Sequence, residues 1–216
     1  MSCPPKNLSL FPGTGIPPKC DPFFYEGQLS EEGYALIAGV DEAGRGSLIG
    51  PVVAAAVIIP HDDSLNGITD SKKMTERARE KAFPIIHKKA VAAAIGVVSQ
   101  IYIDRFNILK ASIEAMKRAV SALVPQPDFL LIDGIYGIPL SIPQTCIKKG
   151  DQLSRSISAA SVMAKVYRDR IMRSYHEIYP VYGLDKNKGY ATSLHLEALR
   201  RHGASPLHRL TFKGVR

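Results

Sequence analysis

Residues 39–53 read GVDEAGRGSLIGPVV, and the runs on either side of them set the fold. ALIAGV (35–40) is apolar throughout and reads as a buried strand that stops at Asp41 and Glu42. PVVAAAVIIP (51–60), rich in β-branched residues and bounded by prolines, reads as a second strand. Two carboxylates, and an arginine between glycines, therefore fall where the chain passes from one buried strand to the next. A glycine-rich turn after a strand often cradles phosphate, but the dinucleotide fingerprint needs GxGxxG leading into a helix. Here Gly44, Gly46 and Gly50 are spaced GxGxxxG and lead into a strand, and the GK-Ser/Thr ending of a P-loop is absent. Neither nucleotide fold fits.

Beyond this stretch, VAAAIGVVS (91–99) and FLLID (129–133) are further strand candidates, the latter ending in Asp133 and Gly134. Leu109, Ile113, Met116, Val120 and Leu123 fall three and four apart and predict a helix over 107–124, ended by Pro125 and Pro127. Ala160, Ala164, Tyr167, Ile171, Tyr175 and Ile178 predict another over 158–178, closed by Pro180. A helix is expected from Thr75 and Glu76 toward His87, interrupted at Pro84, and a last one over 193–201, ended by Gly203. Residues 1–32, punctuated by prolines and glycines, read as an irregular N-terminal arm, and 33–216 as one domain. Strands and helices intermix around one sheet, an α/β or α+β layered domain.

The 216 residues are 45% hydrophobic, enough for a sizeable core. Lys and Arg number 28 against 20 Asp and Glu, and the formal net charge of +8 favours a polyanionic partner, although many basic proteins have none. Cys3, Cys20 and Cys146 lie far apart, without CxxC or zinc-type spacing, and suit a reducing compartment. No apolar run approaches the roughly 20 residues of a membrane span, and the N-terminus lacks a signal-peptide pattern. A soluble cytoplasmic monomer is expected.

Buried side by side, Asp41 and Glu42 would repel each other, lose hydration and take up protons. They could instead lie past the strand end in solvent, pair with Arg45, or hold a divalent cation. Hard ions such as Mg²⁺ take carboxylate oxygens and substrate phosphate. Asp133 ends FLLID as Asp41 ends ALIAGV, so the two converge if those strands are neighbours. Asp151, in KKGDQLSRS ahead of a long helix, is a further candidate. Successive strand residues point to opposite faces, so a shared site calls for a bend after Val40, which Gly44 and Gly46 permit.

These residues sit in longer motifs: GVDEAGRGSLIGPVVAAAVI, TDSKK, LIDG, KKGDQLSRSISAASVMAKVYRDR and NKGYATSLHLEALRRHGASPLHR. In that order, over residues 38–209, they closely resemble bacterial ribonuclease HII. The resemblance implies a ribonuclease H-like fold, a mixed five-stranded sheet flanked by helices with a helical C-terminal portion. It implies four acidic active-site positions, matched by Asp41, Glu42, Asp133 and Asp151. Asp169, in YRDR, is the rival for the fourth place and reads better as an ion-pair partner within its helix, among Arg168, Arg170 and Arg173. The implied chemistry is two-metal phosphodiester hydrolysis, with Mg²⁺ or Mn²⁺ held by those four. The implied substrates are RNA–DNA hybrids and duplex DNA with embedded ribonucleotides, cut on their 5′ side to leave 3′-hydroxyl and 5′-phosphate. Ribonucleotide excision repair and DNA replication are the processes implied.

By the same resemblance, Gly44, Arg45 and Gly46 approach the ribonucleotide, whose 2′-hydroxyl separates RNA from DNA, and Tyr190 stacks beside it. Lys72 and Lys73, with Arg45, are candidate phosphate contacts, and Arg155, Lys165 and Arg168 follow on charge alone. Ser154, Ser158 and Ser161 read as helix-start and packing residues, and His195 and His202 as ordinary residues rather than ligands. Ser47 stands where proline is common in the family and Ile49 where a small residue is, so a looser turn is expected at Ser47. Two rivals stand beside this reading. One is electrostatic nucleic-acid binding without catalysis, the other a resolvase-like metal nuclease of the same fold.

Overall fold

The strands β1 (Ile37–Ala43), β2 (Val52–Ile58) and β3 (Ala92–Val98) pair antiparallel in succession, while β4 (Phe129–Asp133) and β5 (Gln144–Ile147) run parallel to β1. Their order across the sheet is β3-β2-β1-β4-β5, so β1 lies at its centre. The structure, a computed structural model, describes residues 21–60 and 74–215. Lys72 and Lys73 lie outside the described residues.

Helices cover both faces of the sheet, which is why β2 is apolar at every position instead of alternating. On one face Val52, Ala54, Ala56 and Ile58 pack with Ala111, Ala115 and Ala119 of α4 (Ile108–Ser121). On the other, Ala55 and Val57 pack with Ala159, Ala160 and Val162 of α5 (Arg155–Ile178). Contact on the second face is close: a Cβ on Gly39 of β1 would overlap the backbone of Ser156. α5 begins at Arg155, ahead of its apolar stripe, because the Ser154 hydroxyl caps it by accepting the Ile157 amide at 3.3 Å. The C-terminal portion, with α6 (Leu184–Asn187) and α7 (Ser193–His202), buries Leu184, Ala198 and Leu199 against Leu48, Ile49 and Met172.

Two expectations about helices are corrected. α2 (Glu76–Lys89) runs unbroken through Pro84, anchored by buried Ala82 and Ile86 on either side of it and capped by Thr75, whose Oγ1 accepts the Ala78 amide at 3.2 Å. The arm read as irregular through residue 32 contains α1 (Phe24–Glu31), whose Leu29 is buried with Ile37, Phe129 and Ile157. Its Glu26 is also buried. The Oε1 atom accepts the Ser154 hydroxyl (2.6 Å), the Ser156 amide (2.9 Å) and the Ser156 hydroxyl (2.6 Å) at the start of α5. Gln100–Phe106 forms a further short helix, α3. Among the described residues, no helix is long and apolar enough to cross a membrane.

Candidate active site

The parallel register sets Val40 opposite Ile132, so Asp41 and Asp133 follow side by side at one end of neighbouring strands. β1 continues to pair with β2 through Ala43, with Asp41 opposite Ala55 and Glu42 opposite Ala54. The bend expected after Val40 is therefore absent. Pairing with β4 stops at Val40 instead, so the last residues of β1 overhang the sheet on that side. Asp41, Glu42 and Asp133 line one cavity of about 310 Å³.

Negative charge is crowded here. Burial, followed by the charges of Glu42 and Asp133, pushes the Asp41 carboxyl well above the usual carboxylate range, against opposing bonds from Ser161 and from the Glu42 amide at 2.7 Å. Burial also raises Glu42, opposed by the Arg45 guanidinium 3.1 Å from its Oε1. The other oxygen, Glu42 Oε2, is buried without a hydrogen-bond partner. Asp133 Oδ1 accepts the Gly150 amide at 2.7 Å. Asp151 is the next residue, 1% exposed in the short 3₁₀ helix Gly150–Gln152, and it does not line the cavity. An all-oxygen donor set, three crowded carboxylates and an orphaned buried carboxylate oxygen fit a hard divalent cation. Among the described residues, no three His, Cys, Asp or Glu side chains are gathered at ligand spacing. Glu42 is turned to Arg45, and Asp133 to the Gly150 amide.

The turn after β1 forms the opposite wall. Gly44 has φ +96°, and a Cβ there would overlap the Arg168 side chain. Over Gly46 a Cβ would meet only the Tyr190 ring, at 4.0 Å, so the space before that ring is open. Two fully buried arginines hold the turn from behind by its carbonyls. Arg168 donates to Pro51, Ile49 and Lys188 (3.3, 3.3 and 2.9 Å), and Arg209 to Gly50, Arg45 and Gly44 (3.0, 2.8 and 2.7 Å). Burial, then the neighbouring Arg168 charge, lowers Arg209 to about 9. Ser47 is buried with its hydroxyl 2.9 Å from the Ile49 carbonyl and 3.0 Å from that of Gly189. It ties the turn to the residue before Tyr190, which corrects the looser turn expected there.

The remaining residues singled out from sequence divide clearly. Tyr190 lines the cavity with its ring 5.7 Å from Lys165 Nζ and 5.6 Å from the Arg168 guanidinium carbon. Lys165 also lines it and pairs with buried Asp169 at 2.7 Å, so Asp169 is an intrahelical ion-pair partner, of Lys165 and not of the arginines. Arg168 is no phosphate contact, because its guanidinium is committed to carbonyls. Arg155 is buried with its guanidinium over the Phe23 ring, away from the cavity. Ser161, read as packing, faces the cavity beside Asp41, and Arg79 of α2 joins the lining without any motif to mark it.

A family model described as Ribonuclease HII matches residues 38–215. The chain belongs to the ribonuclease HII family. It is 49% identical over 210 residues to the Ribonuclease HII of Geobacter sulfurreducens, covering 97% of this chain and 95% of that one. It is 53% identical over 189 residues to that of Syntrophus aciditrophicus, with 88% and 89% covered. Among solved structures, the ribonuclease H2 from Pyrococcus horikoshii OT3 superposes with a TM-score of 0.73 at 27% identity, over 84% of this chain and 96% of that one. Bst-RNase HIII in complex with Mn²⁺ shares the fold at a TM-score of 0.66 and 20% identity, over 83% and 68%. The expected ribonuclease H-like architecture is the one observed, and the family makes the chain an endoribonuclease of the ribonuclease H class.

Proposed function

We propose that the chain is a divalent-metal-dependent endonuclease acting, as a cytoplasmic monomer, on the RNA strand of RNA–DNA hybrids and on duplex DNA with embedded ribonucleotides. It cuts 5′ to the ribonucleotide and leaves 3′-hydroxyl and 5′-phosphate. The observation that carries this is the meeting of Asp41, Glu42 and Asp133 at one cavity, faced by the glycine turn and Tyr190. These three, with Asp151 arriving beside Asp133, would hold Mg²⁺ or Mn²⁺. Two such ions, when bound, supply an activated water and charge stabilisation for the leaving oxygen. Gly44, Arg45 and Gly46 face the ribose, where the open space over Gly46 suits a close approach. Tyr190 supplies a stacking surface at the RNA-to-DNA junction, and Lys72, Lys73 and Lys165 supply phosphate contacts. In this reading residues 33–216 form the catalytic domain.

The test is a duplex DNA carrying one ribonucleotide, with Mg²⁺ or Mn²⁺. A single nick 5′ to the ribonucleotide is expected. Equal cutting of the all-DNA duplex, or activity surviving Asp41→Asn, would overturn the reading. Tyr190→Ala is expected to lower the preference for the ribonucleotide by at least about tenfold, the scale of one lost stacking contact. An unchanged preference would favour a resolvase-like nuclease instead.

A further inference from the structure

Three successive carbonyls lead up to the Tyr190 ring, and each is held. That of Lys188 accepts from Arg168 (2.9 Å), that of Gly189 from the Leu48 amide (2.9 Å), and that of Tyr190 accepts the Thr192 amide (2.8 Å) and also faces Nδ1 of His195 at 3.0 Å. The stretch lies between α6 and α7 with left-handed φ at Lys188 and Gly189, so no regular element sets it. His195 is fully buried in the first turn of α7, and its Nε2 lies 3.2 Å from Nε2 of His208. His208, also buried, accepts the Ser205 amide on Nδ1 at 2.9 Å, with the Ser205 hydroxyl equally near.

The proton positions follow from the partners whose roles are fixed. A carbonyl only accepts, so His195 Nδ1 carries a hydrogen. A backbone amide only donates, so His208 Nδ1 is bare and its hydrogen sits on Nε2. Two N–H groups do not face each other at hydrogen-bond distance, so His195 Nε2 is bare. Both rings are neutral, and the donors run one way, from Ser205 through His208 and His195 to the Tyr190 carbonyl. Burial lowers both imidazoles, His208 to about 4, and the N-terminal end of α7 also disfavours a charge on His195.

We propose that His195 and His208 are positioning residues whose one-way relay, acting with the Thr192 amide, fixes the Tyr190 backbone, and with it the ring that meets the ribonucleotide. This rests on the reading of Tyr190 given above. The relay itself is tested without activity. ¹⁵N NMR of the imidazoles near neutral pH is expected to show Nδ1–H on His195 and Nε2–H on His208. A reversed tautomer or a charged ring at either position overturns the proposal.

Two substitutions then split the relay. His195→Asn sets an amide near the Nδ1 position, keeping the donor to Tyr190 and dropping His208. His195→Gln sets its amide near Nε2, keeping His208 and dropping that donor. Asparagine is expected to keep the preference for a single-ribonucleotide duplex over all-DNA within about threefold, and glutamine to lose about tenfold, one hydrogen bond's worth. Equal losses in two folded variants would reduce the pair to packing and sink the proposal; where a variant fails to fold, the tautomers decide. Absence of any ribonucleotide preference in the unsubstituted enzyme would fault the reading of Tyr190, while the tautomers would still decide the relay.

Discussion

Asp41 is held where its charge is costly. It is 5% exposed, beside two further carboxylates, and the strongest opposing influences are the Ser161 hydroxyl and one amide. Asp41→Asn removes that charge while nearly keeping the shape. We expect the variant to lose activity by roughly a thousandfold or more, and to melt at a higher temperature than the parent when both are metal-free. Adding Mg²⁺ should raise the melting temperature of the parent and leave the variant nearly unmoved, as calorimetry would show. His208 has the opposite liability, since its folded value of about 4 lies below the ordinary 6.5. Between those values the unfolded chain binds the extra proton, so stability is complete above the ordinary value and falls as pH drops toward the folded one, by up to about 3 kcal/mol. Urea melts across that range should show the loss, and His208→Gln should flatten it. Carboxylates at strand ends were legible from sequence because an apolar run ending in Asp is conspicuous. Arg168 was not: a guanidinium serving carbonyls has the same letter as one serving phosphate, and only burial separates them.

At the scale of elements, α1 is the piece whose sequence hides its role. FYEGQLSE shows no apolar stripe, yet Glu26 collects three donors at the start of α5. That start adjoins Gly150, whose amide holds Asp133, so α1 braces the segment bearing Asp151. Glu26→Ala would leave the Ser154 and Ser156 donors without their acceptor, at a cost of about 1–3 kcal/mol in urea unfolding. Its activity should fall even where the protein is fully folded, and unchanged activity would confine α1 to a stabilising role. The other four strands announce themselves through apolar runs, since sheets covered on both faces need no polar alternation. β5 does not, because it has four residues and Gln144 within it serves the backbone of Ile138, through bonds of 2.8 Å in both directions. α3, with seven residues, is likewise too short to display a period.

For the whole molecule, the sign of the charge is the central tension. The chain carries +8, while its cavity presents three carboxylates to a polyanion. On the proposed function, Arg45, Arg79 and Lys165 at that cavity and the general basic excess attract the duplex, and the carboxylates repel the cut phosphate unless a cation lies between them. Affinity should therefore reorder with metal. In EDTA, a variant carrying both Asp41→Asn and Asp133→Asn should bind an RNA–DNA hybrid more tightly than the parent, because two repelling charges are gone. In Ca²⁺, a hard cation of the same ligand preference, the parent should bind more tightly, because only it can place the cation against phosphate. Raising salt from 50 to 200 mM should weaken both by at least about tenfold in either condition, since the remote basic contacts are shared. Fluorescence anisotropy with a labelled hybrid reads all of these. If the parent binds more tightly in EDTA as well, the carboxylates are not opposing the phosphate, and the cavity is not where the cut strand lies.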